Sequence, residues 1–364
     1  MFNPGEVWLA LLAFPVSAFT VWLLSRGRAA RIALDHPNQR SLHTAPIPRT
    51  GGLGVVAGVA VGWMAVSGTL PVALWGGAAL LAVLSFADDR YGLPTSVRFL
   101  AHIAAAVWLV AALEAGWNLW LWPLAVAAIV WMTNLYNFMD GSDGLAGGMA
   151  LFGFGFFAIA AATHGHPDLA LATLTVAAAA LGFLAFNLPP ARVFMGDAGS
   201  ISLGFSAAGF GMLGAVRDVW PAWFPVLVFL PFIVDATVTL LRRGLRGEKV
   251  WHAHKEHYYQ RLIRMGWSHR QSALTEYALM GGSGGMALLA LSTPASIAIL
   301  IAALWGAVLV ALMWLVDRRW REFQVNPTRL EDVVGCATYT GPAKTLDEMD
   351  AAIAAGVKAD HDRN

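Results

Sequence analysis

The chain has 364 residues, of which 57% are hydrophobic and 13% charged, with a formal net charge of +1. A typical soluble domain is about 25% charged, so this composition excludes the polar surface that a soluble protein of the same length needs. Apolar runs near the ~20 residues that cross a bilayer recur along the chain, and the expected fold is an all-α polytopic membrane protein.

Eleven transmembrane helices are expected, over about 6–25, 51–68, 70–87, 98–115, 118–136, 145–163, 168–187, 198–215, 220–241, 273–292 and 295–316. The first, "VWLALLAFPVSAFTVWLLSR", has no basic region before it and no small-residue cleavage site after it, which reads as a retained span. Polar stretches follow every second span. "HPNQRSLHTAPIPRTGG" (36–52) follows the first, "ADDRYGLPTSVRF" (87–99) the third and "NFMDGSDGLAGG" (137–148) the fifth. "FNLPPARVFMGDAGS" (186–200) follows the seventh and "HAHKEHYYQRLIRMGWSH" (252–269) the ninth. The alternate loops, such as "SGTLP", "EAGWN" and "STPAS", are short and bland, with "THGHPD" a partial exception. Sorting the loops this way places 23 of the 24 basic residues on one face and leaves only Arg217 on the other. The positive-inside rule makes the first face cytoplasmic, with the N-terminus outside and the C-terminus inside. The lone Cys336 excludes an intramolecular disulfide framework and fits a reducing compartment.

The cytoplasmic loops combine chemistry that solvated turns do not need. Asp88, Asp89, Asp140, Asp143 and Asp197 are hard oxygen ligands suited to Mg²⁺, or Mn²⁺ in its place. His252, His254, His257, Arg261 and Arg264 can supply donors and positive charge to phosphate oxygens. Carboxylates, a divalent cation and basic groups at a membrane edge describe phosphoryl transfer. Each motif also has a plainer reading. The acid pairs can cap helices, "HAHKEH" can bind zinc, and Asp235, inside the ninth span, is either a packing acid or a site residue. The tryptophans near span ends read as interfacial anchors.

Taken together, "ADDR", "NFMDGSDGLAGG", "FNLPPARVFMGDAGS" and "HAHKEHYYQRL" resemble the polyprenyl-phosphate N-acetylhexosamine-1-phosphate transferases. That superfamily, within glycosyltransferase family 4, includes the WecA-like enzymes and the MraY translocases. The resemblance covers about residues 30–270 and is nearest to the branch that starts O-antigen and related surface glycans. It implies transfer of an N-acetylhexosamine 1-phosphate from a UDP-sugar, UDP-GlcNAc or a relative, to undecaprenyl phosphate in the bacterial inner membrane, with release of UMP. It implies Asp197 as the principal Mg²⁺ ligand with Asp89, and Asp88 and Asp89 near the lipid phosphate. Phe194 would stack on uracil, and Asn187 would contact the nucleotide. Asn137, Asp140 and Asp143 would line the nucleotide-sugar site, while His254 and His257 would hold the diphosphate. The spread histidines of "HAHKEH" depart from the run of adjacent histidines in the muramyl-pentapeptide branch. No nucleic-acid partner is expected, and a homodimer is compatible with the chain.

The alternative from another class is a secondary transporter, which also places acids within a membrane; no internal repeat supports it. The sequence divides into a transmembrane domain, 1–323, and a soluble tail, 324–364, with a candidate amphipathic helix near 345–358. "YTGPAKTLDEMDAAIAAG" faintly resembles the C-terminal segments of AbrB/MazE-type antitoxins, which would make the tail a protein-binding extension; a solvated tail is the plainer reading.

Overall fold

The computed structural model describes residues 4–26, 33–35, 46–64, 67–113, 116–250, 254–325, 345 and 348. Helix is the dominant element: α1 (Pro4–Leu11), α2 (Ala13–Leu24), α3 (Gly51–Trp63), α4 (Val72–Tyr91), α5 (Thr95–Ala112), α6 (Trp122–Phe138) and α7 (Leu145–Thr163). Then come α8 (Pro167–Asn187), α9 (Asp197–Val216), α10 (Trp223–Val228), α11 (Leu230–Leu245), α12 (Tyr258–Arg264), α13 (His269–Leu291) and α14 (Ala295–Val325). Among the described residues, eight helices are long and apolar enough to cross a membrane, with α1 and α2 forming one of them. The chain is an all-α polytopic membrane protein.

The other three expected spans are helical but differ from simple crossings. The helix α3 has 13 residues, about 20 Å at 1.5 Å per residue, short of a ~30 Å hydrocarbon layer. The expected span 220–241 is broken into α10 and α11, with Pro231 in the first turn of α11. Its missing N–H and fixed φ suit a helix start and not a helix interior. The helix α13 carries the buried Glu276 and opens on the polar run His269–Ser272.

The buried centre is α8 and α9, whose most apolar windows are 78% buried, while α14 at 6% lies on the periphery. Around α9 pack α3, α4 and α6; α7 and α8 pair, with α2 against α3 and α8. Where α3 crosses α9 the backbones nearly touch. A Cβ on Gly52 would lie 2.4 Å from the Gly199 nitrogen, so only glycine allows this approach. One element departs from the all-helical expectation: Leu34–Asp35 pairs antiparallel with Ile47–Pro48, Asp35 opposite Ile47.

The chain divides into two compact units, Met1–Arg318 and Arg319–Asn364, so the division falls inside α14, a few residues before the expected 323/324 boundary. Most of the tail, including Cys336, lies outside the described residues. Within the candidate tail helix, the Glu348 amide donates to Thr345 Oγ1 (3.3 Å) and the Thr345 amide to Glu348 Oε2 (2.9 Å), the reciprocal bonds of a helix N-terminus.

Candidate active site

The described parts of all five polar stretches lie at one end of the helix bundle, where α3, α5, α7, α9 and α13 begin and α4, α6, α8 and α11 end. The clustering follows from up-down connectivity, since every second loop must return to the same end. His252 and residues 36–45 fall outside the described residues.

Backbone bonds join the loops into one floor. Phe194 N donates to Pro48 O (2.8 Å), Gly51 N to Phe194 O (2.9 Å) and Gly52 N to Met195 O (2.7 Å), so the "RTGG" turn and the "FMGD" turn form a single unit. Asp197 opens α9 directly after Gly196, which has φ +72 and whose Cβ, if present, would meet the Arg49 carbonyl at 2.5 Å. The Asn137 side chain bonds the Asp197 carboxylate and accepts from Ser200 Oγ at 2.8 Å. The Gly196 backbone bonds Asp140.

Around this floor stand Asp35, Asp89, Asp140 and Asp197, with Arg49 in the electrostatic field of all four. Burial alone would weaken the hold of Arg49 on its proton, but the four carboxylates outweigh it and keep the guanidinium more firmly charged than an ordinary arginine. Asp140 is pushed well above the usual carboxylate range, first by desolvation and then by Asp197 and Asp35, with Arg49 and the Gly196 bond opposing. Arg98 is the second cation: its Nη1 lies 2.7 Å from Asp88 Oδ2 and 4.0 Å from Asp197 Oδ2. In the sequence, Arg49 and Arg98 count toward the basic-residue bias and are not among the candidate site residues. The signal was their place, Arg49 directly before a helix start and Arg98 one turn into α5.

The paired acids of "ADDR" separate in role. Asp88 Oδ1 accepts from Leu93 N (2.6 Å) while Oδ2 takes Arg98, so both oxygens fasten the end of α4 to the start of α5. Asp89 faces Asp197 and Arg49. Among the described residues, Arg98 Nε, Thr50 Oγ1 and the Tyr259 hydroxyl are buried polar atoms of this region with no hydrogen-bond partner. A buried donor without a partner is costly, and a phosphate oxygen would satisfy it.

The loop 139–144 is tied to 188–193 by two predicted site residues. Asn187 Oδ1 accepts from Gly144 N (2.9 Å) and its Nδ2 donates to Val193 O (2.8 Å). Asp143 Oδ2 accepts from Ala191 N (3.0 Å), with His269 Nδ1 3.8 Å from its Oδ1 and 3.2 Å from Ser142 Oγ. Asn187 is thus a strut that shapes the loops. Asn187→Leu removes both bonds and strands the buried Gly144 N–H. It is expected to lower stability by about 2–3 kcal/mol, read as a fall in melting temperature in detergent. Phe194 is half-buried beside Asp197, its backbone held by the bonds above.

The histidines approach the acids through Tyr259. The His257 and Tyr259 rings stack at 5.8 Å and 10°, and the Tyr259 hydroxyl lies where a Cβ on Gly141 would be. The buried His257 Nδ1 lies 3.1 Å from Asp235 Oδ1. Asp235 also accepts from Tyr258 N (3.0 Å) and Tyr259 N (3.3 Å). This answers the open reading of Asp235: it caps α12 from another helix and orients a site histidine. With Nδ1–H given to Asp235, the Nε2 of His257 is the nitrogen left for a ligand. His254, 4.8 Å away ring to ring, accepts Glu256 N at its Nδ1 (3.2 Å). Burial first, then His257 and Arg243, lower its pKa to about 4. The ring is therefore neutral at pH 7, with its hydrogen on Nε2 as a donor.

That shift sets a pH effect. Between about 4 and 6.5 the unfolded chain binds a proton at His254 that the native chain refuses. Acidification through this window therefore lowers stability, and above it the group adds no pH dependence. The stability advantage of wild type over His254→Gln is expected to shrink from pH 6.5 to 4, measured as paired melting curves.

Arg261 is engaged within the protein. Its buried guanidinium bonds Asp317 Oδ1 (2.8 Å) and the Glu256 carbonyl (2.8 Å) and lies 5.0 Å from the Tyr258 ring centroid. It braces the histidine loop.

No group of three or more His, Cys, Asp or Glu converges at metal-binding geometry among the described residues; the zinc reading of "HAHKEH" includes His252, which lies outside them. The acid cluster does fit a magnesium-type ion. Asp35, Asp88, Asp89, Asp140 and Asp197 share the space with two guanidiniums, Arg49 and Arg98, which leaves surplus negative charge. Mg²⁺ commonly takes one or two carboxylates and completes its shell with water and substrate phosphate. Asp197 and Asp89 would be the pair to hold such an ion.

The family model described as Glycosyl transferase family 4 matches residues 71–215. A Bacillus subtilis (strain 168) protein named "Probable undecaprenyl-phosphate N-acetylglucosaminyl 1-phosphate transferase" is 34% identical over 294 residues, 74% of this chain and 81% of its own length. A decaprenyl-phosphate N-acetylglucosaminephosphotransferase of Mycobacterium tuberculosis is 29% identical over 326 residues, covering 75% of this chain and 80% of its own. A phospho-N-acetylmuramoyl-pentapeptide-transferase of Lacticaseibacillus paracasei is 30% identical over 272 residues, 65% of this chain and 82% of its own.

Proposed function

The chain belongs to glycosyl transferase family 4, and from that membership we infer that it transfers an N-acetylhexosamine 1-phosphate from a UDP-sugar to a polyprenyl phosphate. The carrying observation is the gathering of Asp89, Asp140 and Asp197 around Arg49, with Arg98 beside Asp197 and the His254–His257 pair reached through Tyr259. An oxygen of the lipid phosphate attacks the β-phosphorus of the nucleotide sugar, the bond to the bridging oxygen breaks, and UMP leaves with that oxygen. Two phosphates at ~4 Å repel by about 4 kcal/mol per charge pair at an effective dielectric near 20, so cations are required. Arg49 and Arg98 supply fixed charge, and His254 supplies a neutral donor. A divalent cation held by Asp197 and Asp89 would offset charge on the diphosphate. The attacking phosphate monoester is largely ionised near neutral pH, which leaves Asp89 as a ligand and orienting group and not an obligatory base.

UDP-GlcNAc is the favoured donor and undecaprenyl phosphate the favoured acceptor, in line with the names of the relatives. The product would begin a surface glycan such as O-antigen, on the cytoplasmic face of a bacterial inner membrane; the one-ended clustering of the motifs and the basic-residue bias support that sidedness. The transporter reading has less behind it, because the five motif acids lie at helix ends and not at mid-depth. Purified protein supplied with undecaprenyl phosphate, Mg²⁺ or Mn²⁺ and a panel of UDP-N-acetylhexosamines is expected to release UMP with one preferred sugar. No release with any donor would overturn the reading.

A further inference from the structure

The two histidines stand between α11 and α12, outside the membrane-spanning helices, and side chains from two helices hold this segment. At one end Asp235 takes the N-terminal amides of α12 and His257 Nδ1. At the other, three donors converge on one carboxylate from α14. Asp317 Oδ1 accepts from Arg261 Nη1 at 2.8 Å, and Oδ2 accepts from Arg242 Nη1 at 2.6 Å and from the Tyr258 hydroxyl at 3.1 Å. Arg242 Nη1 also donates to the Tyr258 hydroxyl at 2.5 Å, and both guanidiniums lie against the Tyr258 ring. Arg261 carries the hold back along the chain through its Nε, 2.8 Å from the carbonyl of Glu256, the residue before His257.

We propose that Asp317 is a positioning residue for the diphosphate: by joining Arg261, Arg242 and Tyr258 it fixes where His254 and His257 present their Nε2 atoms. It lies 48 residues beyond the last of the polar stretches, outside the matched family region, and its hydrogen bonds go to Arg242, Tyr258 and Arg261. Its carboxylate is 17% exposed and the Arg261 side chain 7%, so the contacts are shielded enough for geometry to be held. Loss of the carboxylate leaves two guanidiniums without their shared acceptor directly behind the histidines. An arginine that must find another partner moves the loop it braces, and misplacement by about 1 Å is enough to cost two orders of magnitude in a positioned reaction. The expected result is a defect in binding the distal phosphate, with the uridine and first phosphate bound as before.

This inference rests on the assignment of His254 and His257 to the diphosphate, and the test separates the two. Full-length wild type, Asp317→Ala, Asp317→Asn, Asp317→Glu and His257→Ala are compared for binding of UDP and of UMP by calorimetry at fixed Mg²⁺, with kinetics and melting curves on the same preparations. Asp317→Ala is expected to weaken UDP about tenfold while UMP changes less than twofold, to raise KM for the UDP-sugar more than it lowers kcat, and to be largely rescued by Asp317→Glu. His257→Ala is expected to remove the same preference for UDP. If His257→Ala loses that preference and Asp317→Ala keeps it, the Asp317 role is wrong while the histidine assignment stands. If His257→Ala keeps it, the histidine assignment itself fails and the inference with it. Equal weakening of UDP and UMP, with a lower melting temperature, makes Asp317 merely structural. Should Asp317→Ala not fold, Asp317→Asn, which keeps shape and removes charge, is read by the same criteria.

Discussion

Asp197→Asn is expected to reduce UMP release by at least about 10²–10³-fold, the scale of losing one preorganised electrostatic contact to a reacting group, while the protein remains folded. The carboxylate opens α9 beside Gly196, takes a bond from Asn137, and feels Arg98 and Arg49 as well as the like charge of Asp88. Asparagine keeps the shape and an acceptor oxygen for Asn137. What it removes is one negative charge from a place with an excess of them. The melting temperature without added metal should therefore stay level or rise, the pattern of a site whose charge serves function at a cost in stability. Stabilisation by added Mg²⁺, seen in wild type as a rise in melting temperature, should shrink in the variant. Near-normal turnover in Asp197→Asn would remove the metal assignment.

Much of this site could be read from the chain before folding was considered, and the reasons are specific. Apolar runs of near-span length carry their own signal, so the described residues of the expected spans are largely helical. Up-down connectivity then sends alternate loops to one end, which is why 87–99 and the described residues of 252–269 lie at the same end of the bundle. What the sequence hid depended on pairing at a distance. Nothing local shows that Asp317, 56 residues on, takes an N–H of Arg261. Asp235 remained undecided until α12 was seen to place its first amides on that carboxylate. Arg49 became a site residue through a strand pair of two residues on each side, too short for an alternation pattern to register. The break between α10 and α11 was written in Pro231, but a proline within an apolar run can kink a membrane helix as well as start one.

Asp88 and Asp89 are expected to fail in different ways, although they are adjacent and chemically identical. Both Asp88 oxygens are engaged, one by Leu93 N at 2.6 Å and the other by Arg98 Nη1 at 2.7 Å, and its side chain is 10% exposed. Asp88→Ala strands a backbone amide and a guanidinium. Breaking a fully buried pair costs about 3–5 kcal/mol; with Arg98 33% exposed, about 2–3 kcal/mol is the discounted expectation. Activity should fall as well, because Arg98 is then free to shift from its 4.0 Å approach to Asp197. That loss should not add to the loss caused by Arg98→Ala, so a double-mutant cycle on the two should show coupling of about 1–3 kcal/mol in kcat/KM. Asp89 faces Asp197 across the cluster. Asp89→Asn removes a repelling charge and should leave the melting temperature level or higher while lowering kcat about a hundredfold. It should also weaken the response to Mg²⁺. The two acids are told apart by measuring melting temperature and turnover on the same preparations. If Asp88→Ala loses turnover at unchanged stability while Asp89→Asn retains it, the site uses the first acid of the pair, and the division of labour drawn from Leu93 and Arg98 is wrong.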